Sequence, residues 1–586
     1  MADSTVSSVT SLIAGQYNQP AITFTGLGSG IDSTSMIQKL VEAESGQIKQ
    51  LTAWKDEWTA KIAALQTLNS KLSDLRTAAQ AMKTLASFQA KNASVSNESV
   101  VTATASSSAS SGTHQVLVNS LAKNEVEVHL GLAASDAVVN SSGASQVFAF
   151  SYAGGAPVSI NVPDGTTLSG LADLINASGA NPGVKATVLD MGEAYTTDRY
   201  RLMLSGKDTG APFTITIDDG LTTLNGSGGT ANFTSTGFEN PPPQQAQNAQ
   251  VRLDGYPPAG WIERTSNTVG DLIPGVSLSL LQPSATPVQV AVTDDTNAMQ
   301  EKITNLVNTY NDLLTYIQEQ SKYDKATGKA GVLFGNYGLQ IVKSQLSAIA
   351  TGNAPGFADP QDHFLNLAQI GITTDADETS PTFGQLVMDQ SALAAALSAD
   401  PQAVANLMAS YFVGASDDAS GNITYYSSLP GITQPGIYSV TATVAGGVLT
   451  GGTINGHPAM VGGNTLTGAS GYPEYGLAVQ VNPTDGTHTG TVRLKLGLNG
   501  QFSEKLDDLL SASSGPVNIL INNYQDIVGN IDEKIAFEQR RVDSYRQRLT
   551  QQFTRLEAVL SQLNDQSNYL ASQIAKLGGS SSSNSG

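Results

Sequence analysis

Apolar residues recur at steps of three and four along Ile37, Leu40, Ile48, Leu51, Trp54, Trp58, Ile62, Leu65, Leu68, Leu72, Leu75, Ala79 and Met82. That spacing gives a helix one apolar face, so the stretch predicts a long amphipathic helix with Gly46 as its weak point. Asp32, Ser33 and Ser35 are N-cap candidates, and Ser35 with Gln38 forms a capping-box pattern. From about residue 95 to 293 the period shortens to two. Short Val, Thr, Ile and Phe runs alternate with polar residues and are punctuated by Gly, Pro and Asn-Gly or Asp-Gly pairs, which predicts strands and hairpins. LADLINASGANPGVKATV from Leu171 and VGDLIPGVSLSL from Val269 share Asp-Leu-Ile and Gly-Val, a faint internal repeat.

Helical period returns at Asn297 and runs through Met299, Ile303, Leu306, Val307, Tyr310, Leu313, Leu314 and Ile317, with Asp294, Asp295 and Thr296 as capping candidates. Shorter helices are expected at about Leu339 to Ala350 and Gln390 to Ser410, and Gly-rich strand patterns at 420–500. The last apolar seam runs Ile521, Tyr524, Val528, Ile531, Ile535, Val542, Tyr545 and Leu549, then Phe553, Leu556, Leu560, Leu563, Leu570, Ile574 and Leu577. Glu538 and Ser567 are polar lapses, and a four-residue stutter separates Leu549 from Phe553. Roughly 60 helical residues would extend about 90 Å, far more than a small domain needs. Such a helix cannot bury its seam against itself, so the two chain ends should pack on each other and on neighbouring copies.

These patterns predict a multidomain α+β protein in which long terminal helices form a coiled coil and bundle around inserted antiparallel β-rich domains. The expected segments are a flexible leader (1–31), an N-terminal helical leg (32–94), and two β-rich domains (95–293) split near 150 and near 240, where Pro241–Pro243 reads as a stiff joint. A bundle segment (294–415), a β-rich insertion (416–503), the long C-terminal helix (504–577) and a disordered tail (578–586) complete the chain.

Composition narrows the chemistry. With 30 basic and 50 acidic residues the net charge is −20, and charged residues make up only 14% of the chain. Strong nucleic-acid binding needs a basic face that these cations hardly supply. The absence of Cys excludes thiol catalysis, disulfides and Cys-ligated metals. No apolar run is long enough for a transmembrane helix. The first Lys or Arg is Lys39, so the pattern of a cleavable signal peptide is also missing.

No residue set points to an enzyme or a cofactor. Gly26 and Gly28 begin a dinucleotide-like run, but Ile31 stands where the third Gly belongs, so Gly26, Gly28 and Gly30 read as an N-terminal joint ahead of a capped helix. The five histidines are far apart and read as surface or loop residues. Asp218–Asp219 and Asp294–Asp295 sit where turns and caps account for them. Trp54 and Trp58 lie four apart on one helical face, where core packing and a subunit contact fit equally.

Five strings in order carry a resemblance. They are GLGSGIDSTSMIQKLVEAE at the start; DGTTLSGLADLINASGANPGVKATVLD with RLMLSGKDTG; and NAQVRLDG, SNTVGDLIPGVSLSL and DTNAMQEKITNLVNTYNDLLTYIQEQSKYD. Leu367 to Leu407 with ALSADPQAV, and RLTQQFTRLEAVLSQLNDQSNYLASQI, complete them. Over nearly its whole length the chain resembles the flagellar filament cap, or hook-associated protein 2, family. The resemblance implies a non-enzymatic, extracellular protein at the tip of the bacterial flagellum, exported by the flagellar type III apparatus with its chaperone. It further implies a ring of five or six copies that templates the folding and insertion of flagellin, next to the hook–filament junction protein in the axial assembly. The insertion at 416–503 departs from many members. Another axial protein, a flagellin or junction protein, or a surface adhesin or fibre, are the alternative readings.

Overall fold

The computed structural model describes residues 32–324 and 327–578; the leader, the joint residues Gly26, Gly28 and Gly30, and the end of the tail lie outside them. The chain ends and its middle build one helical bundle. A lead helix (Ser33–Glu44) is followed by a stem helix (Gly46–Gln80), separated at Ser45. The Asp32 carboxylate caps the lead helix by accepting from Ser35 N at 2.9 Å, so Asp32, and not the expected Ser35–Gln38 box, starts it. The apolar face of the stem, Leu65, Leu68, Leu72 and Leu75, is fully buried against Met299, Ile303, Leu306, Tyr310 and Leu313 of the helix Thr296–Ser321 and against Phe502 and Leu506 of Leu498–Leu510. Asp295 caps Thr296–Ser321 through Ala298 N at 3.0 Å.

The single helix expected at 390–410 is two, Gln390–Ala399 and Pro401–Ala409. Pro401 has no N–H to continue the first helix, and the Asp400 carboxylate caps the second through Ala403 N at 2.9 Å. A terminal helix, Pro516–Gly578, leaves the bundle. A Cβ at Gly515 would lie 2.4 Å from the Leu509 carbonyl oxygen, so the tight turn into this helix accepts only Gly there. Among the described residues no helix is long and apolar enough to cross a membrane.

Two β lobes leave the bundle between the stem and residue 296, nested rather than consecutive. The inner lobe pairs a five-stranded sheet, in the order Lys91–Val95, Val288–Asp294, Gly112–Ser120, Ala249–Leu253 and Ile262–Arg264, with the three-stranded sheet Thr268–Ile273, Val276–Leu280 and Val101–Ala105. The outer lobe is inserted into it and has its own core, including Phe148, Phe150, Leu171, Ile175, Leu202, Leu204 and Phe233. The expected split near 150 therefore falls inside the strand Gln146–Tyr152. The real crossings are bridged at Lys123 to Gln247 and Val126 to Gln244, just after Pro241–Pro243. The faint repeat holds only in its second half: Gly183-Val184 and Gly275-Val276 each open a strand, but Asp173-Leu174-Ile175 lies in the helix Leu168–Ala177, whereas Asp271-Leu272-Ile273 ends a strand.

Burial shifts two titratable groups in the outer lobe. His129 is buried, stacked on Phe233 with ring centres 4.2 Å apart, and its Nε2 lies 2.8 Å from the Asn232 carbonyl oxygen. Burial lowers its pKa, so it is a neutral core residue and not the surface group expected. Glu127 is half-buried beside Glu125, whose carboxylate is buried and accepts from Ala246 N. Burial, then the Glu125 charge, push Glu127 up to about 7 from 4.5. The unfolded chain releases this proton near pH 4.5 while the folded lobe holds it to about 7, so stability falls as pH rises through that window. Glu127→Gln is therefore expected to stabilise the lobe by about 1–2 kcal/mol at pH 8, after allowing for solvent screening, and to change nothing at pH 4. Thermal melts at the two pH values check this, and equal gains at both would refute it.

The third β unit, here the arm, spans 411–496 between Pro401–Ala409 and Leu498–Leu510. Its five-stranded sheet runs Tyr411–Ser416, Gly486–Leu496, Gly436–Ala445, Val448–Ile454 and His457–Pro458, and packs on the four-stranded sheet Ile423–Ser427, Ala478–Val481, Thr465–Thr467 and Met460–Gly462. The expected limits of 416 and 503 shift because Tyr411–Ser416 already pairs with 492–496, and the bundle helix restarts at Leu498. At its root Arg493, Lys495, Asp362 and Asp417 form a largely buried ionic cluster. Arg493 Nε is 2.7 Å from Asp417 Oδ2, Lys495 Nζ is 2.5 Å from Asp362 Oδ1, and Arg493 Nη1 also donates to Asp362.

Candidate assembly surface

The stem and terminal helices run antiparallel in one unbroken register. Asn69 Nδ2 donates to Asn518 Oδ1 at 2.6 Å, and Lys55 Nζ meets Asp532 Oδ1 at 2.7 Å. Between these contacts one helix recedes 14 residues while the other advances 14, as a continuous coiled-coil seam requires. Trp58 packs edge-on against Tyr524 with ring centres 4.8 Å apart, and Lys61 Nζ lies 4.3 Å from the Trp58 ring centre. Trp58 thus works inside the subunit, whereas Trp54 is exposed.

Past the break at Ser45 the lead helix takes over as partner. Ile37 and Val41 bury against Val542 and Leu549, flanked by Ile48, Tyr545 and Phe553. Arg541 joins the elements by contacting Glu44 at 3.1 Å and Glu538 at 2.7 Å. Of the expected seam, the structure brings together Ile531, Val542 and Leu549 as buried positions, with Ile535, Tyr545 and Phe553 half-buried.

At Phe553 this intramolecular cluster ends, but the helix continues for another 25 residues to Gly578, about 38 Å. Here Leu556, Leu563, Leu570 and Ile574 are 48–68% exposed, and Leu560 is half-buried. Val559, 53% exposed, belongs to the same stripe although the sequence seam passed it over; its three- and four-residue steps from Leu556 and to Leu563 were the available signal. Among the described residues one seam is therefore satisfied within the chain up to Phe553 and presented outward beyond it. No titratable cluster is built into it, and among the described residues no three His, Asp or Glu side chains lie together as metal ligands.

The pattern described as the flagellar hook-associated protein 2 C-terminus matches residues 246–565, more than half of the chain. The chain belongs to the flagellar hook-associated protein 2 family. The N-terminal pattern of the same family matches 29–125, and a flagellin hook IN motif matches 147–208, inside the outer lobe. The family's two halves thus meet near the crossings into that lobe. The B-type flagellar hook-associated protein 2 of Pseudomonas aeruginosa PAO1 is 30% identical over 414 residues, covering 66% of this chain and 80% of the relative. The flagellar hook-associated protein 2 of Escherichia coli K12 is 27% identical over 448 residues, 72% of this chain and 88% of the relative. A crystal structure of the flagellar cap protein FliD D1-D2-D3 domains from Escherichia coli matches at 27% identity with a TM-score of 0.47, covering 59% of this chain and 89% of that one.

Proposed function

We propose that this protein caps the tip of a growing flagellar filament as a ring of copies of itself, and that exported flagellin folds and inserts beneath it. The observation that carries the reading is the apolar stripe beyond Phe553, which continues a seam already filled inside the chain. An amphipathic helix of that length holds its exposed stripe in water only until a helix of like pattern covers it. Neighbouring subunits and the terminal helices of flagellin supply such partners. The β lobes would form the plate, and the antiparallel leg would reach down to the subunit being added. The work is mechanical: binding free energy is exchanged between leg contacts, and no bond is made or broken. Placement outside the cell at the tip, delivery by the flagellar type III apparatus and its chaperone, and contact with the hook–filament junction protein belong to the same reading.

Ending the chain after Phe553 tests it. The bundle and lobes lose no core residue, so the melting transition should be retained while cap-deficient cells expressing the truncated protein grow no filaments. Filaments of normal length would reject the reading.

A further inference from the structure

The arm is nearly free of charge. Between Ala419 and Val492, 74 residues, the only Asp, Glu, Lys or Arg are Glu474 and Asp485, in a chain whose net charge is −20. Glu474 is buried, so Asp485 is the one such charge this stretch presents to solvent. On this neutral surface Tyr426, Leu429, Ile432, Ile437, Tyr472 and Tyr475 are each 39–62% exposed. Leu429 and Ile432 lie on one loop and Tyr472 and Tyr475 on another, and the two loops are tied together: Thr433 Oγ1 donates to the Tyr475 carbonyl at 2.7 Å, and Gln434 N donates to the Pro473 carbonyl at 2.9 Å, while Tyr426 and Ile437 stand on the strands that enter and leave the first loop. His457 stacks on Tyr472 with ring centres 3.8 Å apart, and its Nδ1 lies 2.6 Å from the buried Glu474 Oε1. The two loops that carry four of the six side chains are thus fixed before any partner arrives, which lowers the ordering cost of binding.

We infer that this collar is a contact between copies of the chain, with the arm as a second self-association element independent of the leg. The inference rests on the reading of the protein as a self-assembling cap. Copies that each carry −20 repel one another wherever charged faces meet, and like charges brought together across an interface cost binding energy. The least costly meeting surface is the one without charge, and the arm carries the longest run of the sequence free of Asp, Glu, Lys and Arg, residues 419–473. Exposed Tyr and Ile side chains on rigid loops supply the anchoring area that stable interfaces concentrate at their centres. The ionic cluster at the arm's root, with Arg493 and Asp362 almost fully buried, holds the collar in fixed orientation to the bundle, as a repeating contact in a ring requires.

Sedimentation velocity on the full chain decides it, comparing wild type, the double substitution Tyr426→Asp with Ile432→Asp, and the control Thr487→Asp on an exposed strand position elsewhere on the arm. All three sites are exposed, so each variant should melt as wild type does. Wild-type self-association should strengthen at about 1 M salt, where the screening length falls to roughly 3 Å and repulsion between copies is removed. The double variant should associate roughly 100-fold more weakly, and the control like wild type. Equal association of the double variant and wild type overturns the inference, as does a wild type that stays monomeric or whose collar retains only a glycan or flagellin. Filament growth in cap-deficient cells separates the two readings. If the double variant associates and grows filaments normally while the chain ended at Phe553 grows none, the collar contact fails and the cap reading stands.

Discussion

Leu563→Asp is expected to leave the monomer's melting temperature within about 2 °C of wild type while abolishing assembly and motility. The side chain is 54% exposed and, among the described residues, lies beyond the last buried contact of its seam, so the monomer loses only a little helix propensity, well under 1 kcal/mol. Once a second helix covers the stripe the same carboxylate is buried without a partner, which costs several kcal/mol at every such contact. In a closed ring that cost is repeated at each interface, so the loss is far steeper than any single contact suggests. Gln562→Asp, one position round the helix and off the stripe, should assemble normally. Calorimetry of the monomer together with electron microscopy of cells carrying each variant provides the two readouts. Normal filaments with Leu563→Asp would show that this part of the helix is not an assembly surface. A large drop in melting temperature would show that the stripe is covered within one subunit.

The seam was legible because periodicity reports directly on the face of a helix, and the same steps run from Ile531 to Ile574. Where its partner changes was not legible. Steps of three and four continue on both sides of Phe553, and the change is set by where the lead helix packs against Val542 and Leu549, a contact some 500 residues away in sequence. The nesting of the outer lobe was hidden for a different reason. Gly154, Gly155 and Pro157 look like a linker, but they form the hairpin joining two core strands, and Phe148 and Phe150 lie at the centre of the lobe. The true crossings at Lys123 and Gln247 are ordinary polar residues paired through backbone, which composition cannot single out. The charge gap from Ala419 to Val492 was readable in the sequence, but its meaning depended on which apolar residues the arm leaves outside. The pairing of Arg493 with Asp362, 131 residues apart, has no sequence signal at all.

That pairing sets the largest stability effect expected in the molecule. Arg493 is 4% exposed and bridges Asp417 of the arm to Asp362 of the bundle loop, while Lys495 shares Asp362. Arg493→Ala would leave Asp417 buried with no cation beside it and Asp362 with half its compensation, a change that typically costs about 3–5 kcal/mol. The charge pair as such need not be the source of stability, because the desolvation of four ionic groups offsets much of their mutual attraction. Two variants separate these effects. Arg493→Met alone removes the cation and keeps the volume, so it should be nearly as damaging as Arg493→Ala. Arg493→Met combined with Asp417→Leu removes both members of one pair, leaves Lys495 to neutralise Asp362, and should recover most of the loss. Thermal melts give the stability. Limited proteolysis at the two strands joining arm to bundle, near Tyr411 and Gly497, reports whether the arm has come loose. If the double variant is as unstable as the single one, the cluster stabilises the junction through the ionic contacts themselves and not through compensation of buried charge. If Arg493→Ala melts and resists protease like wild type, the arm is held by its apolar contacts alone, and the fixed orientation that the collar needs has another origin.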